Sequence, residues 1–136
     1  MIKPTELRLG NYVNLNDGSD IDDFRKVSGI GSKILYLRIK QCRVSEVHVN
    51  FNRVYPIPLT EELLEKCGFQ ELYRTDHSIR LELMDYPEIE YKWNATFNWM
   101  LTYKTTVIGN VKYLHELQNA VYFLTGKELD VQIRNN

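Results

Sequence analysis

Three histidines, two cysteines and one acidic cluster are the side chains with which this sequence could do chemistry. His48, His77 and His115 are scattered, and none stands three or four residues from another histidine, a cysteine or a paired carboxylate in a way that would gather a metal. The sequence therefore predicts no metal site and no cofactor. Cys42 with His48 is the one pair that could meet as thiolate and imidazole. A reactive thiolate needs an electropositive, partly open setting, and both Cys42 and Cys67 read as small core residues in a reducing compartment. Asp85, Glu88 and Glu90 lie beside Tyr86, Tyr91 and Trp93, a mixture that could cleave a sugar if two carboxylates faced each other across a cleft. In an alternating strand, Glu88 and Glu90 more simply form its wet face. Gly29-Ile-Gly31 lacks the third glycine and the following helix of a dinucleotide fingerprint, and reads as a hairpin turn. No catalytic residue is assigned.

Two further groups are candidates for binding. Arg38, Lys40 and Arg43, with Tyr36 nearby, could track a phosphate backbone while the ring stacks on a base. They sit in a basic stretch from Phe24 to Tyr55 that holds seven arginines and lysines against Glu46 alone, a local excess of +6. Solvated basic side chains also block edge pairing of strands, and the segment from Pro56 to Asn136, with eight basic and twelve acidic residues, would repel a long polyanion. The second group, His115, Gln118, Asn119 and Tyr122, falls on the back of a predicted helix and could face a protein partner.

Whole-molecule charge is −1, so nothing draws the chain strongly to nucleic acid or to a membrane. With 43% apolar and 26% charged residues the composition is that of a folded globular chain. At 136 residues one ordinary core is expected. The start, Met-Ile-Lys-Pro-Thr-Glu-Leu-Arg, has no apolar run of a signal peptide, and no stretch of eighteen uncharged apolar residues occurs. A cytoplasmic protein without a membrane span is the expectation.

The elements that must hold these residues follow from period and punctuation. Tyr12–Leu15 after Gly10-Asn11, Phe24–Ile30, Ile34–Lys40 and Cys42–Phe51 read as four short strands of an antiparallel sheet, with an SH3-like barrel as its closed form. Tyr55-Pro-Ile-Pro58 cannot continue a central strand and marks a boundary between lobes at 1–55 and 56–136. Thr60 as N-cap, Glu61 and Glu62 in the first turn, and Gly68 at the end define a helix of about two turns. Phe69–Tyr73, Ser78–Met84, Ile89–Trp93, Thr96–Tyr103 and Thr105–Ile108 read as a second antiparallel sheet. Leu114, Leu117, Val121 and Leu124 make the apolar stripe of an amphipathic helix, from about Asn110 to Thr125, expected to pack on that second sheet. Lys127–Ile133 is a candidate edge strand.

The blocks Glu6-Leu-Arg-Leu-Gly-Asn-Tyr-Val13, Pro56-Ile-Pro-Leu-Thr-Glu-Glu-Leu-Leu64 with Gly68-Phe69, and Tyr113-Leu-His-Glu-Leu-Gln-Asn119 with Phe123-Leu-Thr-Gly-Lys-Glu-Leu129 resemble a family of small uncharacterised proteins of gut bacteria, their mobile elements and their phages. The resemblance spans most of the chain and implies no activity and no functional residue. The fold class expected is α+β. The function expected first is a non-enzymatic binding or accessory protein acting on a host or mobile-element macromolecule. A nucleic-acid-binding module using the basic strands comes second, and an enzyme with a spatially assembled site last.

Overall fold

A computed structural model describes residues 2–16, 24–38, 46–96 and 98–132. It shows an α+β protein with two antiparallel sheets, one of four strands and one of five. The chain divides into two compact units: the first gathers Met1–Pro58 with Tyr113–Leu129, the second Leu59–Lys112 with Asp130–Gln132.

In the first unit β1 (Tyr12–Asn14), β2 (Phe24–Ile30), β3 (Ile34–Arg38) and β4 (Glu46–Asn50) pair in sequence order. Alternation in β3 is what the sequence predicts: Leu35 and Leu37 are buried while Ile34 and Arg38 are exposed. The register sets Leu35 opposite Val49 and Leu37 opposite Val47. Around them Ile2, Leu7, Val13, Val27, Phe51 and Val54 complete the core of this sheet.

The sheet does not close into the SH3-like barrel expected. Closure needs a free outer edge on β1, where Tyr12 and Asn14 turn their backbone groups outward and Gly10 its carbonyl, the Gly10 N–H being bonded to Val27 O at 2.9 Å. That edge is taken. Asn14 and Tyr55 exchange backbone hydrogen bonds at 2.9 and 2.8 Å, and the side chain of Gln118 bonds the backbone of Gly10 and Tyr12.

Gln118 belongs to α2 (Leu114–Thr125). This helix, expected on the second sheet, belongs to the first unit and packs on β1. It begins four residues later than Asn110. The Tyr113 N–H is bonded by Glu116 Oε1 at 3.1 Å and the Leu114 N–H by Ile57 O at 2.8 Å, which satisfies donors at the helix start. It ends where expected, at Gly126 with φ +75°.

In the second unit α1 (Glu61–Lys66) has the predicted cap, Thr60 Oγ1 accepting the Leu63 N–H at 3.1 Å. It packs on β5 (Phe69–Arg74). The meander continues through β6 (Ser78–Leu83), β7 (Tyr86–Asn94), β8 (Asn98–Tyr103) and β9 (Thr106–Gly109). Ile79, Leu81, Leu83, Ile89, Tyr91 and Leu101 are buried. Pro87, which falls between the strands expected at Ser78–Met84 and Ile89–Trp93, lies inside β7 beside a register shift between Glu82 and Leu83, a place where a missing N–H is tolerated. The edge strand expected over Lys127–Ile133 does not form across 127–132; the Gln132 N–H instead bonds Lys66 O at the end of α1, at 2.8 Å.

Candidate functional site

The site builds up from a short turn at the start of the chain. Pro4–Glu6 form one turn of 3-10 helix, and Gly10, at φ +93°, supplies the left-handed residue that lets the chain double back into β1. Asn11 locks this loop: its Oδ1 accepts the Arg8 N–H at 2.7 Å, and its backbone N–H bonds Arg8 O at 3.1 Å. The loop thus arrives against α2 with its polar groups aimed at one helix face.

Gln118 and Asn119 meet it there. Gln118 Oε1 accepts the Tyr12 N–H at 2.8 Å and its Nε2 donates to Gly10 O at 3.1 Å. A side-chain amide carries the same donor and acceptor as a peptide group, so Gln118 acts as a one-residue strand on the β1 edge. Asn119 Nδ2 donates to Glu6 O at 2.9 Å, while its Oδ1 accepts from Asn11 Nδ2 at 2.8 Å and from Arg8 Nε at 3.2 Å. The guanidinium of Arg8 also forks onto Glu128, with Nη2 to Oε2 at 3.1 Å, and lies 4.2 Å over the Tyr122 ring. Arg8 is held by charge, hydrogen bonds and a π face together.

Two of the four residues expected on the wet back of this helix are therefore interior. His115 is 2% and Gln118 1% exposed; Asn119 is half-buried and Tyr122 exposed. The polar edge of the loop, more than 100 residues away in sequence, draws Gln118 inward. His115 has no such explanation: neither ring nitrogen has a hydrogen-bond partner. Burial pushes its pKa below the ordinary histidine value, against the opposing pull of Glu116 and Glu6. Its ring lies parallel to that of Tyr113, centroids 6.0 Å apart.

Phe123 lies at the other extreme, 88% exposed next to Tyr122. With Thr5, Glu6, Arg8 and Asn119 these two rings line an open groove of about 510 Å³. The sequence carries one signal for Phe123: it falls off the stripe of Leu114, Leu117, Val121 and Leu124. Asn11 is signalled only as part of the Gly10-Asn11 turn, and Arg8 and Glu128 carry no local signal, since they meet each other 120 residues apart along the chain.

No family model, no curated protein and no solved structure matches this chain.

The other candidates fall only partly within the described residues. Arg38 is exposed at the end of β3, and Lys40 and Arg43 lie outside the described residues. The Tyr36 ring covers Gly29, where an added Cβ would come within 2.9 Å of it, and meets His48 edge-on at 4.5 Å; it is packing material for a hairpin. Cys42 lies outside the described residues too, whereas the Cys67 thiol is buried and its pKa is pushed up to about 12, first by burial and then by Asp130. In the acidic cluster Glu90 is largely buried, held by Arg80 at 2.6 and 3.0 Å with Lys92 at 3.8 Å, while Asp85 and Glu88 are exposed. Among the described residues no three His, Cys, Asp or Glu side chains are grouped to hold a metal, and no helix is long and apolar enough to cross a membrane.

Proposed function

We propose that this chain is a binding protein that acts by docking, without covalent chemistry, and that its contact face is the Tyr122–Phe123 end of α2 with the adjoining groove. In keeping with the family that the sequence resembles, the target is a protein of the host or of the mobile element. One observation carries this reading: Phe123 stands 88% exposed on a helix whose neighbouring polar groups are already engaged internally. Aromatic side chains held on a rigid support are the usual anchors of protein interfaces, because little conformational entropy is lost on binding. The Arg8–Glu128 pair at the rim supplies polar contacts of both signs.

The test is a pull-down from host lysate with immobilised protein and its Phe123→Asp variant, each with and without nuclease. Retention of a defined protein in both nuclease arms, lost with Phe123→Asp, is the result expected. Nuclease-sensitive recovery would instead favour the basic strands and a nucleic-acid partner, and recovery indifferent to Phe123→Asp would remove this face from the account.

A further inference from the structure

The groove beside Phe123 has a polarity that follows from which of its polar groups are already bonded. Two of its lining residues, Glu6 and Arg8, are charged. A guanidinium has five N–H groups, and in Arg8 each of them has an acceptor. Nε donates to Asn119 Oδ1 at 3.2 Å, Nη1 to Glu128 Oε1 and to Leu9 O at 3.4 Å, and Nη2 to Glu128 Oε2 at 3.1 Å and to Gln118 O at 3.5 Å. A carboxylate entering the groove would have to displace Glu128 before Arg8 could receive it.

Glu6 is in the opposite condition. Its Oε2 accepts the Lys3 N–H at 2.5 Å, and no described residue donates to its Oε1. The side chain is exposed and enters no ion pair among the described residues. Lys3 and Lys127, the lysines nearest in sequence, do not line the groove. With Arg8 compensated by Glu128, the charge left uncompensated in the lining is therefore negative.

The aromatic walls differ in the same way. Arg8 lies over the Tyr122 ring, whereas no described cation lies over Phe123, which is 88% exposed. The face of such a ring is electron-rich and attracts a cation.

We infer that the groove takes an arginine side chain of the partner protein, its guanidinium stacked on Phe123 and donating to the Glu6 carboxylate. This inference rests on the docking face proposed above and adds which group of the partner anchors there. Arginine suits the pair better than lysine, because its planar fork bonds a carboxylate in plane while its face lies on a ring.

The test uses the full chain and four small probes, the N-acetyl methylamides of arginine, citrulline, lysine and glutamate; citrulline has the shape of arginine without its charge. NMR shifts of ring and amide resonances locate the binding, and titration at low salt gives its strength. The arginine probe is expected to shift Phe123 and residues 5–8 saturably and to bind at least about threefold more tightly than citrulline. Glu6→Gln, which keeps an acceptor for the Lys3 N–H, should bring arginine and citrulline level, and Phe123→Ala should weaken both. No shift in these residues, equal binding of arginine and citrulline, tighter binding of lysine or glutamate, or a preference unchanged in Glu6→Gln would each overturn the inference. The lysate pull-down separates this failure from that of the docking face. Capture that needs Phe123 and is indifferent to Glu6→Gln overturns the arginine anchor alone, whereas capture indifferent to Phe123→Asp removes the face itself.

Discussion

Replacing His115 by leucine should make the first unit more stable, and more so in acid. The imidazole is 2% exposed with both nitrogens unpartnered, and a buried polar group without a partner costs about 1–3 kcal/mol. Leucine has similar bulk, no polar atom, and a helix propensity better by about 0.4 kcal/mol. A gain of about 1 kcal/mol or more at pH 7.5 follows. The pH dependence separates this mechanism from propensity alone. Burial lowers the native pKa of His115 below 6.5, its ordinary value, so below pH 6.5 the unfolded chain takes up a proton that the native ring refuses. The unfolded state then binds more protons, stability rises with pH, and each unit of acidification below 6.5 costs the wild type at most about 1.4 kcal/mol until the native ring itself titrates. Between pH 6.5 and 5.0 the His115→Leu variant should therefore gain up to about 2 kcal/mol more over the wild type. Both tryptophans, Trp93 and Trp99, lie in the second unit, so their fluorescence is the wrong probe. Protection factors of α2 amides at pH 7.5 and 5.0 are the measurement. An advantage of His115→Leu that is the same at both pH values would refute the reasoning.

Other perturbations test other joints of the structure. Gln118→Leu breaks both bonds to the β1 edge and should cost about 1–3 kcal/mol, read as lost amide protection in Gly10–Asn14 as well as in α2. Lys104 and Thr105 make the β8–β9 turn with φ of +49° and +70°, a backbone suited to Asn-Gly and poor for a β-branched residue; Lys104→Asn with Thr105→Gly should stabilise the second unit by about 1–2 kcal/mol in thermal melts followed by tryptophan fluorescence. In a Cys42→Ser background Cys67 should react with iodoacetamide at pH 8 only as fast as the second unit opens. Because its pKa is raised from 9.0 to about 12, the native thiol keeps a proton that the unfolded one loses, and stability should fall as pH rises above about 9.

What the sequence reveals here depends on how local the deciding interaction is. Thr60, Glu61, Glu62 and Gly68 define α1 from within nine residues, and the structure has that helix with that cap. Leu35 and Leu37 against Tyr36 and Arg38 define β3 in the same way. The amphipathic stripe of α2 predicts a docking face, expected on the second sheet, and the structure sets it on β1. That choice is made by Gln118 with Gly10 and Tyr12, bonds spanning 108 and 106 residues. Polarity alone assigns Gln118 and His115 to water. Gln118 is interior as a substitute strand, whereas His115 is interior beside the Tyr113 ring with neither nitrogen bonded. Barrel closure fails on the same kind of information, since Tyr55 and Gln118 reach the β1 edge from outside the four strands.

The polar cluster around Asn119 looks at first like a reactive centre, with an arginine, three carboxamides and a glutamate drawn together. Its bonding argues for support. Asn119 Oδ1 already accepts two bonds and its Nδ2 reaches Glu6 O; Gln118 spends its donor and acceptor on the backbone; Arg8 is engaged by Glu128, Asn119 and Tyr122 at once. Groups so engaged are poorly placed to move protons or bind a substrate, and well placed to hold a loop and a helix end in one geometry. The cluster leaves Tyr122 and Phe123 facing outward on a fixed frame. Preorganisation of that kind lowers the entropic cost of association, and this is the physical ground of the docking face proposed above.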